Sequence, residues 1–224
     1  MSVEITWIHH ASFRLASGEA VVYIDPWKLP PAPHDADAVF VSHSHYDHFS
    51  VEDIRRVAKP DTTVIGPDDV VRQYGSGKPL LPGHGITVKA VSFQAVPAYN
   101  IDKPYHPKAN NWIGVVIHIG DIKAYYAGDT DRVPEMSHLK DIDIAFLPVG
   151  GTYTLDAQQA ARACQAIRCR SVIPYHWGDI VGQLSDATRF AEAVKCCKVH
   201  LLRPGQKVRI ESPLETGQAG LLGK

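Results

Sequence analysis

A six-residue stretch at positions 43–48, His-Ser-His-Tyr-Asp-His, concentrates side chains that bind metal ions. Imidazoles and carboxylates are preferred donors for divalent ions of borderline softness, of which zinc is the main example. The apolar residues 38–41 come directly before it and are typical of a buried strand. If the chain stays extended, His43, His45 and Asp47 project to one side, and His48 joins them where the chain turns. The spacing predicts a metal site at the end of a strand.

Chance clustering is the competing interpretation, because the chain contains twelve histidines. Three histidines and an aspartate behind a buried strand would, however, lose solvation and repel one another unless a cation held them together. A purely structural role for residues 43–48 is therefore the less favourable interpretation.

Length and composition indicate one compact domain over residues 1–224, with a polar, frayed tail at 213–224. Apolar residues make up 45% of the chain and charged residues 21%, with a formal net charge of −1. Such a balance gives no basic surface for a long nucleic acid, so we expect no extended nucleic-acid partner. The sequence leaves the oligomeric state open.

The segments that would indicate export or membrane insertion are not visible in the sequence. The first residues lack a basic stretch followed by an apolar core, and no apolar run is long enough to cross a bilayer. We expect a cytoplasmic protein without a membrane partner. The four cysteines, Cys164, Cys169, Cys196 and Cys197, lack the Cys-x-x-Cys spacing of a zinc knuckle, and we expect buried, reduced thiols.

The hydrophobic pattern predicts two blocks of strands, each followed by helices. The first block has strands at 3–7, 12–15, 21–25, 38–42 and 63–65 and helices at 51–57, capped by Ser50, and 67–74. The second has strands at 86–96 and 113–127, the latter turning at residues 120–121, then strands at 142–146, 172–174 and 199–202 and helices at 156–167 and 186–197. This order favours a layered α/β (α+β) fold over a doubly wound parallel sheet.

Several short motifs occur in an order that resembles the metallo-β-lactamase fold superfamily. They are Ile-Asp-Pro around Asp25, the His-x-His-x-Asp-His stretch at 43–48, Gly-Asp-Thr around Asp129 and Pro-Tyr-His ending at His176. The early Trp-x-x-His-Ala-Ser-Phe at 7–13, together with Ala-Gly-Asp-Thr at 127–130, is similar to small zinc-dependent hydrolases related to the ascorbate-6-phosphate lactonases.

The resemblance implies a four-layer αββα sandwich with two divalent metal ions at one edge. It assigns the first ion to His43 and His45, the second to Asp47, His48 and His176, and a bridging position to Asp129. The chemistry agrees, because a carboxylate can span two cations while neutral imidazoles add no negative charge. We expect zinc, and manganese or iron remain alternatives.

One position departs from the family pattern. Relatives offer a third histidine to the first metal where this chain has Asn100. An amide is a poor zinc ligand beside imidazole, so we expect His106 to replace it, with Asn100 as the alternative. A surface histidine without a role is the competing interpretation of His106.

Two further residues are candidates for holding the metal ligands in place. His10 lies in a motif-like position, although a buried histidine with ordinary hydrogen bonds would look the same in the sequence. Asp25 follows a strand-like run and is a candidate acceptor for a ligand imidazole, or else it caps an Asp-Pro turn.

These residues predict a metal-dependent hydrolase in which a metal-bound hydroxide attacks a small, anionic ester, lactone or phosphodiester, with Asp47 as the catalytic carboxylate. No serine-nucleophile or phosphate-loop motif competes with this interpretation. Asn100, Lys103 and Tyr153 are the candidate substrate-binding residues, although loop lysines are commonly just solvated. A non-catalytic metal sensor of the same fold and a metal-dependent nuclease are the alternatives.

Overall fold

The computed structural model describes residues 2–212, so the tail predicted at 213–224 lies outside the described residues. Two seven-stranded mixed sheets form the centre of the fold. The first contains β1 (Ser2–His9), β2 (Ser12–Ala16), β3 (Val21–Ile24), β4 (Ala36–Phe40), β5 (Ala58–Gly66), β6 (Lys78–Pro79) and β14 (Lys207–Glu211), in the spatial order β14-β1-β2-β3-β4-β5-β6.

In the second sheet, strands that are consecutive in the chain are neighbours in space. It contains β7 (Gly85–Val88), β8 (Val91–Pro97), β9 (Ile113–Ile119), β10 (Ile122–Tyr126), β11 (Ile144–Pro148), β12 (Ser171–Tyr175) and β13 (Lys198–Val199), arranged β13-β12-β11-β10-β9-β8-β7. Within residues 2–212, four α-helices accompany the sheets: α1 (Val51–Val57), α2 (Asp68–Tyr74), α3 (Ala157–Ile167) and α4 (Leu184–Ala193). Two short 3-10 helices cover Lys108–Asn110 and Pro134–His138.

Buried aromatic rings join the two sheets face to face. Phe13 of β2 packs against Phe146 of β11 with ring centroids 4.7 Å apart, and its ring also meets Tyr126 and Tyr175. On the outer face of the first sheet, Ile54 of α1 belongs to a separate apolar cluster. Helices α3 and α4 contact β11 and β12 of the second sheet. The layers are therefore helix, sheet, sheet, helix, which confirms the predicted αββα architecture.

Local sequence explains where the helices begin. The Ser50 hydroxyl accepts a hydrogen bond from the Asp53 backbone N–H at 3.2 Å, which caps α1 as predicted. Asp156 and Gln159 form a reciprocal capping box at the start of α3. Among the described residues, the structure contains no helix with the length and apolar character needed to cross a bilayer.

Four sequence predictions were wrong in detail. The run 86–96 is a hairpin of β7 and β8, because Lys89 adopts a left-handed φ of 51° that turns the chain. Helix α4 covers Leu184–Ala193 instead of 186–197, and β13 is only two residues long instead of covering 199–202. The chain after β4 does not stay extended, since residues 44–48 form bends and a turn closed by His48 N–H to the His45 carbonyl at 3.0 Å.

The direction of the strands determines where the predicted metal-binding residues lie. Strands β3, β4 and β5 are parallel to one another, and so are β10, β11 and β12. Parallel strands in one sheet end at the same edge. Asp25 follows the end of β3, the 43–48 stretch follows β4, Asp129 follows β10 and His176 follows β12. These segments meet where the carboxyl ends of the parallel strands of both sheets come together.

Candidate metal centre

The predicted metal-binding side chains gather in one buried cluster, although they come from distant parts of the chain. Their potential ligand atoms fall into overlapping groups in which the atoms lie within 4.8 Å of one another. One group combines residues of the loop after β4 with a residue of the loop between β8 and β9. Another combines residues of the same loop after β4 with residues of the β1–β2 turn and of the end of β12. The groups are His43, His45 and His106; His10, Asp47, His48 and His176; and His43, His48 and Asp129.

The first group presents three imidazole nitrogens to one point. His43 Nε2 lies 3.1 Å from His45 Nδ1, and the His106 ring centroid lies 5.0 Å from that of His45. Nitrogens bound to one zinc ion at 2.0–2.1 Å in a tetrahedron are separated by about 3.3 Å. The spacing of His43 and His45 therefore suits a shared metal ion, and His106 lies where a third ligand is needed.

Asn100 lies behind His106 and fixes the orientation of its ring. The Asn100 Oδ1 accepts hydrogen bonds from the His106 backbone N–H and from His106 Nδ1, both at 3.0 Å. The Asn100 amide nitrogen donates to the Tyr153 carbonyl at 3.0 Å. Because Nδ1 carries the donated proton, the His106 Nε2 lone pair faces the cluster. The geometry supports His106 over Asn100 as the third donor.

We expect Asn100→Ala to weaken metal binding at the first group about 10- to 100-fold, because His106 would lose the acceptor that sets its tautomer. Chelator-competition titration of purified protein measures this affinity. The matched variant Asn100→Asp keeps an acceptor for His106 and should lose less affinity than the alanine variant. Equal affinities for the alanine variant and the native protein would contradict this positioning role.

Asp129 lies between the first group (His43, His45 and His106) and the second (His10, Asp47, His48 and His176), and its carboxylate faces both. Its Oδ2 lies 3.0 Å from His176 Nε2 and 3.4 Å from His106 Nε2, and its Oδ1 lies 3.3 Å from His48 Nε2. Asp47 Oδ2 lies 3.6 Å from His48 Nε2 and 3.7 Å from His176 Nε2. One carboxylate in contact with imidazoles of both groups is the arrangement needed to bridge two ions.

The buried polar atoms of the cluster fit bound metal cations. Asp129 Oδ1 and the Nε2 atoms of His48, His106 and His176 lack hydrogen-bond partners among the described residues, although all are inaccessible to water. Burial favours the neutral form of His48, yet Asp129 and Asp25 outweigh it and raise the His48 pKa well above its usual value. The carboxylates therefore require positive charge at these nitrogens, which a proton or a metal ion can supply.

Asp25 accepts hydrogen bonds from three side chains in the interior. Its Oδ2 accepts from His48 Nδ1 at 2.7 Å, from the Ser42 hydroxyl at 2.6 Å and from the Tyr126 hydroxyl at 2.7 Å. The Ser42 backbone N–H donates to Asp25 Oδ1 at 2.7 Å. Fixing the proton of His48 on Nδ1 leaves its Nε2 free to act as a ligand. The structure thus places Asp25 where the sequence predicted an acceptor for a ligand imidazole.

Two residues that the sequence did not identify complete this support. Because the Ser42 hydroxyl donates to Asp25, it accepts from His43 Nδ1 at 2.9 Å, which turns His43 Nε2 toward the first group. The Trp112 ring packs on His43 and His45 with centroids 4.9 and 4.7 Å away. The position of Ser42 immediately before His43 was the only sequence signal, and a serine at a strand end is too common to be diagnostic.

His10 contacts the second group from the β1–β2 turn. Its Nε2 lies 3.2 Å from Asp47 Oδ2, and its ring centroid is 4.2 Å from that of His176. Burial lowers the pKa of His10 to about 4, so its ring is neutral near pH 7. His10, Asp25 and His176 adopt left-handed φ values of 47°, 42° and 63°. Such strain in non-glycine residues is concentrated at functional sites.

The three predicted substrate-binding residues already contact other residues of the protein through their side chains. The Lys103 ammonium pairs with Asp131 and donates to the Thr154 carbonyl, so it is not free to meet a substrate. The Asn100 side chain is hydrogen-bonded to His106 and to the Tyr153 carbonyl, and its role in substrate binding stays a prediction. The Tyr153 ring stands edge-on to Tyr105 with centroids 4.7 Å apart. The basic loop is therefore largely neutralised by its own neighbours.

Comparison with known proteins agrees with this geometry. The family model described as a beta-lactamase superfamily domain matches residues 4–176. A UPF0173 metal-dependent hydrolase from Nitratidesulfovibrio vulgaris is 32% identical over 96% of this chain and 98% of its own length. A homologue of the same name from Aeropyrum pernix is 28% identical over 92% and 97%.

Solved structures show the same fold. A putative metal-dependent hydrolase from Parabacteroides distasonis superimposes with a TM-score of 0.80 at 33% identity, covering 91% of this chain and 94% of that one. Igni18, a metallo hydrolase from Ignicoccus hospitalis, gives 0.77 at 24% identity, covering 94% and 99%. The narrower likeness to ascorbate-6-phosphate lactonases stays a prediction. The chain belongs to the beta-lactamase superfamily and, within it, to the UPF0173 family of metal-dependent hydrolases.

Proposed function

We propose that this chain hydrolyses a small anionic ester, lactone or phosphodiester with two divalent metal ions, zinc by preference. The observation that carries the proposal is the Asp129 carboxylate, which contacts His106 of the first group and both His48 and His176 of the second. Ions held by these residues would acidify a bound water and make a nucleophile available near neutral pH.

The protein's own residues would orient this water. Burial raises the pKa of Asp47, but the hydrogen bond from His10 and the nearby imidazoles of His176 and His48 outweigh burial and lower it, which keeps Asp47 ionised. An ionised carboxylate can accept a hydrogen bond from water, and the neutral His10 beside it holds its position. Asp47 would therefore serve both as a metal ligand and as the hydrogen-bond acceptor that orients the water.

The two ions themselves would be the anchor for an anionic substrate, because Lys103 is paired with Asp131. Asp25, Asp47, Asp129 and one bound hydroxide would balance the four positive charges of two divalent ions, so an anionic oxygen would bind through direct contact with an ion, which acts as a Lewis acid. Tyr46 and Tyr105, next in sequence to candidate ligands, are 67% and 43% exposed and offer apolar surface for the rest of the substrate.

The two alternatives have less support. The metal-sensor interpretation depended on Asn100 replacing a histidine ligand, and His106 lies where it can complete the first group. The nuclease interpretation requires a basic track, whereas Lys103 pairs with Asp131 and the Lys108 ammonium lies 4.4 Å above the Tyr99 ring.

Metal-dependent turnover tests the proposal. Protein stripped with a chelator and reloaded separately with zinc, manganese or iron(II) would be assayed on chromogenic esters, lactones and a generic phosphodiester. We expect turnover of at least one class that disappears on stripping and returns on reloading. A protein that holds two ions yet turns over none of these classes would contradict a hydrolase of this specificity and favour the sensor.

A further inference from the structure

The four cysteines of the chain converge at the end of β12 opposite to His176. Cys164 lies in the last turns of α3 and Cys169 follows the end of that helix, whereas Cys196 and Cys197 lie in the loop between α4 and β13. Six residues, five of them in β12, separate Cys169 from His176, and the nearly extended chain covers about 23 Å between them. The thiols are therefore remote from the candidate metal centre and independent of the proposed function.

The sulfur atoms form a compact group centred on Cys164. Its Sγ lies 3.7 Å from that of Cys169, 3.7 Å from that of Cys196 and 3.4 Å from that of Cys197, and the Cys169 and Cys197 sulfurs are 3.9 Å apart. Four thiolates around one zinc ion, with Zn–S bonds of about 2.3 Å, are separated by about 3.8 Å in a regular tetrahedron. These four of the six possible separations are close to that value, and the sulfurs of Cys164, Cys196 and Cys197 all lie within 4.8 Å of one another.

Disulfide bonding and ordinary core packing both account for this cluster less well. A disulfide requires sulfurs about 2.05 Å apart and pairs cysteines two by two, whereas here the Cys164 sulfur lies 3.4–3.7 Å from three other sulfurs. The sequence predicted four buried thiols, but only Cys164 and Cys169 are buried. Cys197 is half-buried and Cys196 is exposed. Hydrophobic packing gives no reason for an exposed cysteine to join the group.

Basic residues next to the cysteines offer charge compensation for metal-bound thiolates. A divalent ion held by four thiolates leaves excess negative charge, and basic residues stand next to the cysteines in the chain. Arg168 and Arg170 flank Cys169, and Lys195 and Lys198 flank the Cys196–Cys197 pair. Positive neighbours of this kind stabilise metal-bound thiolates.

We propose that Cys164, Cys169, Cys196 and Cys197 bind one zinc ion in a structural site separate from the histidine–aspartate centre. Such a site would tie the end of α3 to the α4–β13 loop, where β13 contributes only two residues to the edge of the second sheet. Closed four-thiolate zinc sites stabilise the fold and leave no open position for substrate.

Cobalt substitution tests the site without relying on activity. Full-length protein prepared under reducing conditions would be stripped and loaded with Co²⁺, and thiolate-to-cobalt charge-transfer absorption would be recorded. We expect this absorption in native protein and in His43→Ala, which disturbs only the other centre, and its loss in Cys164→Ser and Cys197→Ser. Zinc absorption spectroscopy should give a Zn–S distance of about 2.3 Å.

A second readout uses native protein alone, in case the cysteine variants do not fold. Titrating the zinc-loaded chain with an organomercurial should release one zinc ion in step with modification of the four thiols. The proposal is overturned if cobalt gives no charge-transfer absorption in native protein. It is equally overturned if all four thiols react freely with a disulfide reagent in the zinc-loaded chain, or if mass spectrometry finds disulfides in protein kept reduced.

Discussion

Replacing Asp47 with alanine is expected to lower kcat about 10²- to 10⁴-fold while the fold is retained. The carboxylate lies within 3.2–3.7 Å of His10, His48 and His176, so its removal takes away a candidate ligand and the proposed hydrogen-bond acceptor for the water together. Steady-state kinetics with the best substrate of the panel measures the effect, and a thermal melt of both proteins reports whether the fold survives.

Asp102→Ala is the matched control for this variant. Asp102 is an exposed aspartate in the same loop as Asn100 and His106, and its replacement should leave kcat within about twofold, because surface substitutions of this kind change little. An Asp47→Ala protein with near-native turnover would contradict the catalytic role of Asp47, whatever its metal content.

Asp25→Ala is expected to reduce the free energy of unfolding by about 3–5 kcal/mol, the cost of removing one partner of a fully buried charged pair. His48 Nδ1 and the hydroxyls of Ser42 and Tyr126 would lose their common acceptor in a region closed to water. Metal affinity should also fall about 10- to 100-fold, because the His48 ring would lose the bond that orients it.

Urea unfolding of the stripped protein separates the first effect from metal binding, and chelator competition measures the second. Asp61→Ala is the control, since Asp61 pairs with Lys89 at the surface and exposed ion pairs contribute at most about 1 kcal/mol. If the Asp25 and Asp61 variants lose equal stability and keep native metal affinity, Asp25 does not support the centre in the way described.

The layered fold and most of the cluster could be predicted from the sequence, for identifiable reasons. Apolar strands ending in His, Asp or Gly-Asp place functional side chains at a sheet edge, and the capping pattern at Ser50 located α1. The third histidine of the first group was harder to find. His106 could be chosen over Asn100 only on ligand softness, whereas the structure shows that Asn100 holds the His106 ring.

What could not be predicted depends on contacts between distant segments. Tyr126 reaches Asp25 across 101 positions of the chain, and nothing in its local sequence separates it from an ordinary buried tyrosine. Cys164 and Cys197, 33 positions apart, meet only because α3 and α4 pack side by side on the second sheet. Spacing rules for zinc motifs fail when ligands come from two helix ends.

Anomalous diffraction from crystals of the metal-loaded protein, recorded at metal absorption edges, tests the two-ion centre most directly. We expect two peaks there, one ligated by His43, His45 and His106 and the other by Asp47, His48 and His176, with Asp129 between them. A peak at the four cysteines would be counted separately. A single peak at the histidine–aspartate centre, or none, in protein saturated with zinc, manganese or iron(II) would show that this chain does not form a two-ion centre.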